Sequence, residues 1–158
     1  MIKPINKADL SLCLHIFHRG YETVALEFGL TEENCPYRGR ASLPYEVLEK
    51  DYEAGELMFG YYVDNKIVGF LGIKIQDEIC KLNDLIILPE YRQKGYGNAL
   101  LDFCKRKASE LGALKLRLGM INDNLRLKNW YIANGFINIG YKRFDKAPFT
   151  VGYMECLL

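Results

Sequence analysis

The sequence predicts an α/β protein, a mixed sandwich with a central sheet of about six to seven strands flanked by about four helices. Three observations predict it. Strand-like runs follow one another without an intervening helix over residues 58–88, which excludes a doubly wound sheet, where strands and helices alternate. Apolar residues recur at helical spacing in two long segments, 10–28 and 97–111. Apolar and polar residues alternate over 114–120, and two further strand-like runs close the chain.

In chain order, residues 2–6 read as a short strand. A helix then runs from after Asp9 to about Phe28, with Leu10, Leu14, Phe17 and Tyr21 at helical spacing. Gly29, Asn34, Pro36, Gly39 and Pro44 break the periodicity. A second helix follows over residues 44–53, with Ser42 as its cap and Pro44 in its first turn. Residues 58–63 and 66–74 form a hairpin around Asp64-Asn65, and the turn Gln76-Asp77-Glu78 leads to a strand over 80–88. The helix opened by Gly97 carries Leu100, Phe103, Cys104, Ala108 and Leu111 on one stripe, opposite Asp102, Lys105, Arg106, Ser109 and Glu110. Gly112 ends it. Leu114, Leu116, Leu118 and Met120 alternate with Lys115, Arg117 and Gly119 as a half-buried strand. A helix over 124–134 is capped by Gly135, and strands over 136–144 and 150–157 join around Pro148.

Composition narrows the class. The 158 residues read as a single domain, 1–158, able to bury roughly two-thirds of the unfolded surface. Apolar residues make up 49% and charged residues 26% of the chain, so no disordered segment is expected. A net charge of +1 gives no whole-protein attraction to nucleic acid or to a membrane. No apolar run approaches the ~20 residues of a membrane span, and residues 1–7 lack a signal-peptide core, so a cytoplasmic location is expected. Five cysteines without a C-x-x-C pair suggest reduced thiols rather than a zinc ribbon or a disulfide framework. Cys80 and Cys104 read as packing residues; Cys35 stands in a loop with no partner for nucleophilic chemistry nearby. His15 and His18 have no third metal ligand beside them, and no metal is expected.

The most informative stretch runs over residues 85–101. Leu85-Ile86-Ile87-Leu88 breaks at Pro89, and the glycine-spaced turn Arg92-Gln93-Lys94-Gly95-Tyr96-Gly97-Asn98 opens a helix. Such a turn binds phosphate, because the first helical N–H groups lack intrahelical partners and the helix dipole adds partial positive charge. Gly95 and Gly97 let backbone amides approach an anion without a Cβ in the way. Neither the phosphate cradle of NTPases nor the dinucleotide fingerprint fits, since Leu100 stands where the latter has its third glycine.

Arg92-x-x-Gly95-x-Gly97 after a strand resembles the acetyl-CoA pyrophosphate loop of the GNAT acetyltransferase superfamily. Downstream, residues 124–136 resemble that superfamily's N-x-x-A-x-x-x-Y-x-x-x-G-F segment, with Leu127 in the place of the usual alanine. The resemblance extends diffusely over nearly the whole chain and implies the GNAT-like acyl-CoA N-acyltransferase fold, with acetyl-CoA as co-substrate. It further implies that amides from about Gln93 to Asn98 hold the pyrophosphate, with Arg92 and Lys94 adding charge. A main-chain amide of the preceding strand, around Ile86 or Ile87 and next to Leu85, would polarise the acetyl carbonyl. Asn124 becomes a cofactor contact as well as an N-cap. Tyr131 becomes the general acid: a tyrosine with pKa near ~10 stays protonated at neutral pH and can donate to a leaving thiolate. Asp84, on the strand leading to the acetyl site, is the candidate general base, with Glu27, Glu32 and Glu33 in the N-terminal region that covers the acceptor cleft, or a water chain with no single base, as alternatives.

The expected activity is acetyl transfer from acetyl-CoA to a primary amine by direct attack in a ternary complex, the acceptor being a small-molecule or a protein or peptide amine. A low-turnover acyl-CoA-binding sensor or interaction module is the alternative, and Tyr131 discriminates, since a binding module has no use for a proton donor there. A homodimer is compatible with the sequence. Charge is divided along the chain. Residues 21–56 carry nine acidic and three basic side chains, a net of −6, and residues 90–130 carry nine basic and four acidic, a net of +5. The basic half coincides with the cofactor motifs. The acidic half covers the acceptor side that the resemblance implies, so complementary fields favour a cationic amine.

Overall fold

The computed structural model describes residues 1–158. β1 (Ile2–Pro4) leads through a 3-10 turn into α1 (Leu10–Glu27), and a long loop precedes α2 (Tyr45–Glu53). β2 (Leu57–Val63), β3 (Lys66–Gln76) and β4 (Ile79–Ile87) then follow directly, succeeded by α3 (Tyr96–Glu110), β5 (Lys115–Ile121), α4 (Leu125–Ala133), β6 (Ile137–Arg143) and β7 (Thr150–Leu157). The seven strands form one sheet in the order β1-β2-β3-β4-β5-β7-β6. All neighbours are antiparallel except β4 and β5. This is the expected mixed α/β class, with seven strands and four helices. No helix is long and apolar enough to cross a membrane.

The sheet is covered on both faces. On one, Leu10, Cys13, Ile16 and Phe17 of α1 and Leu48 of α2 pack on Met58, Val68, Phe70 and Ile86. On the other, Leu100, Leu101, Cys104 and Ala108 of α3 and Tyr131 of α4 pack on Phe59, Leu71, Ile73, Leu116 and Leu118. Each fully buried Leu or Phe contributes about 1.5–3 kcal/mol, so the two layers hold the sheet between them. Three local expectations are corrected. Leu111 is exposed rather than on the α3 stripe, because it is the C-cap of that helix and lies beyond its last buried turn. Ser42 does not cap α2; Pro44 holds the N-cap position in an extended conformation and no side chain bonds there. The third helix opens at Tyr96 rather than Gly97, with Gly95 as N-cap in the left-handed region at φ +85°.

Two irregularities shape everything downstream. The parallel pairing of β4 with β5 extends only from Ile79, Cys80 and Lys81 to Lys115, Leu116 and Arg117, after which the two strands diverge. In addition, the β3–β4 ladder shifts register between Gly72 and Ile73, so that Asn83 is an extra residue of β4. A one-residue shift exchanges the faces of a strand. Accordingly Cys80 and Leu82 face α3, whereas Asp84 and Ile86 face α1.

Candidate active site

The divergence of β4 and β5 leaves a cleft of about 230 Å³. Leu82, Asn83 and Leu85 form one wall, Leu118, Gly119, Met120 and Ile121 the other, and Asn124, Leu127 and Tyr131 of α4 close one side. Tyr21, Val24, Leu30, Gly39, Arg40 and Phe149 cover the opposite end. That cover is a small core of its own, in which Ala25, Leu30, Ala41, Ala147 and Phe149 join the loop after α1 to the loop between β6 and β7.

At the mouth of the gap the chain leaves β4 through a 3-10 turn (Pro89–Tyr91), and Gln93 at φ +60° and Gly95 at φ +85° swing it into α3. The first helical bond runs from Ala99 N–H to Gly95 C=O, so the N–H groups of residues 93–98 precede the ladder and none is taken by a backbone or side-chain acceptor. A side chain at Gly95 would meet nothing within 4 Å; the glycine is there for its backbone angle. Tyr96 and Asn98 fix the turn from below. The Tyr96 ring lies 4.6 Å from that of Tyr61, and Trp130 Nε1 donates to Asn98 Oδ1 at 3.0 Å. Lys94 is exposed beside the free amides.

The Arg92 guanidinium is engaged within the protein. It turns back under the loop, donating to Ile87 C=O at 3.0 Å, Gly20 C=O at 2.8 Å and Thr23 Oγ1 at 3.1 Å, which fastens the loop to α1. The ladder also separates Ile86 from Ile87. Leu88 N–H bonds Val68 C=O in β3, and antiparallel bonding alternates, so Ile86 N–H points to β3 while those of Leu85 and Ile87 point into the gap. The Ile86 side chain is buried against Gly20 of α1, where even a Cβ would come within 2.2 Å of it.

Tyr131 lines the same cleft as Leu85. It is 5% exposed, its ring set edge-on to Trp130 and Phe136 at 4.9 and 5.2 Å, and its hydroxyl makes no hydrogen bond within the protein. Burial, with lesser contributions from Cys104 and Asp84, pushes its pKa well above that of an ordinary tyrosine, so it remains a proton donor at any physiological pH. Asn124 is the N-cap of α4, its Oδ1 accepting from Leu127 N–H at 3.3 Å, and it lines the cleft at the same time.

Asp84, the candidate general base, is shut away from solvent. The bulge turns it beneath α1, where it is 1% exposed and both oxygens are engaged. Tyr21 donates to Oδ1 at 2.6 Å and Arg40 Nη2 donates to Oδ2 at 3.1 Å. Arg40 Nε lies 2.9 Å from Oδ1 as an ion-pair contact, but too far out of line for a hydrogen bond. Burial raises the Asp84 pKa, and Arg40 and Tyr21 oppose it. Arg40 also reaches Asp51 of α2 at 3.5 Å. The arginine is delivered by a loop in which Tyr37, Arg38, Gly39 and Arg40 all have positive φ. Left-handed backbone costs about 1–2 kcal/mol per non-glycine residue. The Arg40–Asp84 pair and the two-pronged Arg38–Glu22 pair at 3.0 and 2.8 Å offset that cost.

Tyr21, Arg40, Asn83 and Glu56 were not singled out by motif, although all but Asn83 figure in the helical stripe or the charge count. Only the polar pair Asn83-Asp84 inside an otherwise apolar run marks the place in the sequence. Cys80 and Cys104 are buried in the core, as their positions suggest, and Cys35 is half-buried. His18 Nε2 is 2.8 Å from Leu43 C=O, and no group of three His, Cys, Asp or Glu side chains stands together as a metal site. A larger open groove of about 700 Å³ beside α1 and the β2–β3 hairpin brings no buried polar side chain to its surface.

The family model of the Acetyltransferase (GNAT) family matches residues 26–136. The chain belongs to this family. Among curated proteins it is similar to a spermidine N(1)-acetyltransferase of Thermoplasma acidophilum, with 29% identity over 91 residues; the match spans 58% of this chain and 56% of that protein. The chain thus aligns with only about half the length of that relative. Among solved structures, the ribosomal-protein-S18-alanine N-acetyltransferase of Escherichia coli superposes with a TM-score of 0.80 at 17% identity, covering 99% of this chain and 92% of the other. The PaiA N-acetyltransferase of T. acidophilum, in complex with coenzyme A, gives 0.76 at 21% identity over 100% and 98% of the two chains. At these identities the structural likeness shows the fold.

Proposed function

We propose that the protein transfers the acetyl group of acetyl-CoA to a primary amine by direct attack in a ternary complex. One observation carries the reading: the parting of β4 and β5 frees the gap-facing N–H groups of Leu85 and Ile87, and Leu85 lines one cleft with the unpaired Tyr131 hydroxyl, while the turn that follows β4 presents six free amides. These groups fit acetyl-CoA. The N–H groups of residues 93–98, with the helix dipole and Lys94, suit a pyrophosphate, and Asn124 borders the path toward the gap.

Acetyl-CoA bound there supplies a thioester carbonyl as the electrophile. A gap-facing N–H of β4, that of Leu85 or Ile87, donates to the carbonyl oxygen, where negative charge develops as the amine attacks. The Tyr131 hydroxyl donates to the sulfur as the carbon–sulfur bond breaks, and the second proton, shed by the newly acylated nitrogen, returns to the Tyr131 oxygen, whose raised pKa disfavours a lasting phenolate. The attacking amine must first shed a proton. Tyr21 lines the cleft and is bonded to Asp84, so the ammonium proton passes to the Tyr21 oxygen as Tyr21 gives its own to Asp84, leaving a neutral amine and a protonated carboxyl. In this reading Asp84 accepts the proton through Tyr21 rather than by touching the amine.

The acceptor in this reading is a cationic amine. Asp84, Asp51 and Glu56 outnumber the single guanidinium of Arg40 at the end of the cleft away from the phosphate turn. The printed names of similar proteins, a spermidine and a ribosomal-protein-alanine acetyltransferase, are compatible with a basic small molecule or a peptide amine. Thiol release from acetyl-CoA across a panel of cationic, neutral and anionic amines tests the proposal. Release with cationic amines first supports it; binding of acetyl-CoA without release to any amine would favour a binding module instead.

A further inference from the structure

Glu56 stands just before β2 and is 7% exposed. Its Oε1 accepts from the Asn83 side-chain amide at 2.7 Å, whereas Oε2 is buried with no partner. An unsatisfied buried carboxylate oxygen is costly, and packing alone would place an apolar side chain there. The position is purpose-made in the backbone. A Cβ on Gly72 would lie 3.3 Å from both Cδ and Oε1 of Glu56, so the missing side chain at Gly72 is the space the carboxyl occupies. Across the ladder Gly72 pairs with Asp84, which puts the two carboxyls side by side on one face of the sheet.

The charged groups facing Glu56 are Asp51 of α2, Arg40 of the loop after α1 and Asp84 of β4; β3 contributes only Gly72, and Asn83 only an amide. With Glu56 ionised, three carboxylates stand against one guanidinium. With it protonated, two do. Asn83 and Arg40 separate this cluster from the cleft and themselves line it, so the excess charge lies directly behind the acceptor end.

We propose that Glu56 is a positioning residue for a cationic acceptor, its carboxylate supplying the surplus negative charge that holds an ammonium against the Asn83 and Arg40 wall. The proposal rests on the acetyl-transfer reading and adds to it the group that selects the acceptor. Burial, reinforced by Asp84 and Asp51 and opposed by Asn83 and Arg40, pushes the Glu56 carboxyl up to about 7. Binding of a cation and loss of the Glu56 proton are therefore linked, each favouring the other.

The test uses the full chain saturated with CoA, and cadaverine as the probe, because both of its amines have pKa values near that of lysine at ~10.4 and stay charged over pH 6–8. The Glu56 side-chain carbonyl carbon, assigned by its disappearance in Glu56→Gln, is followed by NMR. An inflection near pH 7 that moves down with cadaverine is expected. In turnover, Glu56→Gln raises KM for cadaverine about tenfold at pH 8, equivalent to one pKa unit of interaction, flattens the rise of kcat/KM through pH 7, and leaves CoA affinity unchanged. An inflection in the ordinary carboxylate range, or one that cadaverine does not move, overturns the proposal, as does an unaltered KM and pH profile in the variant. Should Glu56→Gln fail to fold, the wild-type titration with and without cadaverine still decides, the resonance then being assigned through its response to Asn83→Asp. Should the wild-type protein release no CoA with any amine, the acetyl-transfer reading fails while the titration still judges the cation site.

Discussion

The two ends of the cleft are built on different principles. At the proposed phosphate end the chemistry would lie in the main chain. Six amides are exposed by one turn and two more by the parting of two strands, and side chains such as Arg92, Tyr96 and Asn98 hold the backbone in place. At the proposed acceptor end the chemistry would lie in side chains, the buried Glu56 and Asp84 with the partly buried Tyr21, Arg40 and Asp51, drawn from α1, the following loop, α2, the residue before β2 and β4. A preorganised array of amides tolerates sequence change as long as the backbone angles survive. A buried charge cluster does not, because removing one member strands the others.

Substitutions can break that contrast, and the largest effect belongs where the two ends meet. Tyr131→Phe removes only a hydroxyl with no partner in the protein, so CoA affinity should stay put while turnover falls by ~10²- to 10⁴-fold, the usual contribution of general acid catalysis. Single-turnover kinetics with unchanged rates would assign Tyr131 to packing alone. Asp84→Ala should cost about 3–5 kcal/mol of stability, toward the lower figure because the Arg40 side chain it strands is 32% exposed. A urea melt losing less than ~1 kcal/mol would show that the acceptor end is not held by this pair.

Next comes a pH effect confined to one carboxyl. Glu56 sits at about 7 in the fold against an ordinary 4.5. Between those values the folded protein keeps a proton that the unfolded chain has lost, so stability falls as pH rises. At ~1.36 kcal/mol per unit the loss reaches about 3 kcal/mol by pH 7. Glu56→Gln should abolish this particular decline, and parallel pH–stability curves for the two proteins would contradict it. At the phosphate end, Gly95→Val meets no neighbour but must hold φ +85°. The strain of about 1–3 kcal/mol relaxes the turn and disperses the amides, weakening CoA binding by about ten- to a hundredfold with the melting curve little changed. Calorimetry showing full affinity would move the phosphate site elsewhere. The smallest effect is screening. For a cationic amine kcat/KM should drop about two- to fivefold as ionic strength rises to 0.5 M, since only the part of the field crossing solvent is screened, and an anionic amine should not share the drop.

The phosphate end was legible in the sequence because glycine spacing and strand-turn-helix order are local. Even there, local reading stopped at side-chain direction. Arg92 is a loop cation by sequence and a strut to Gly20 and Thr23 in the fold, since a guanidinium on a long flexible stem goes wherever unpaired carbonyls lie. Ile86 and Ile87 were equivalent in sequence, and only pairing with β3 distinguishes the amide spent on the ladder from the one facing the gap. The acceptor end was legible only as a charge excess. Much of that excess is engaged elsewhere, Glu22 with Arg38 and Glu53 with Lys7, and the part that matters is three carboxyls that the tally could not tell from the rest.

By itself, then, the sequence determined the order and type of the elements, the two-sided core and the turn that presents amides at the start of α3, because hydrophobic periodicity and glycine placement act within a few residues of chain. Tertiary structure alone decided the face on which Asp84 stands and the depth at which Glu56 is buried. The first follows from one extra residue, Asn83, in the β3–β4 ladder, and the second from the space at Gly72 and the Asn83 side-chain amide. Strict alternation would have sent Asp84 to the α3 side with Leu82; the bulge turns it beneath α1 beside the space left by Gly72. A bulge is a property of two strands paired at long range, and burial is a property of everything packed around them, so neither is encoded in the spacing of any single segment.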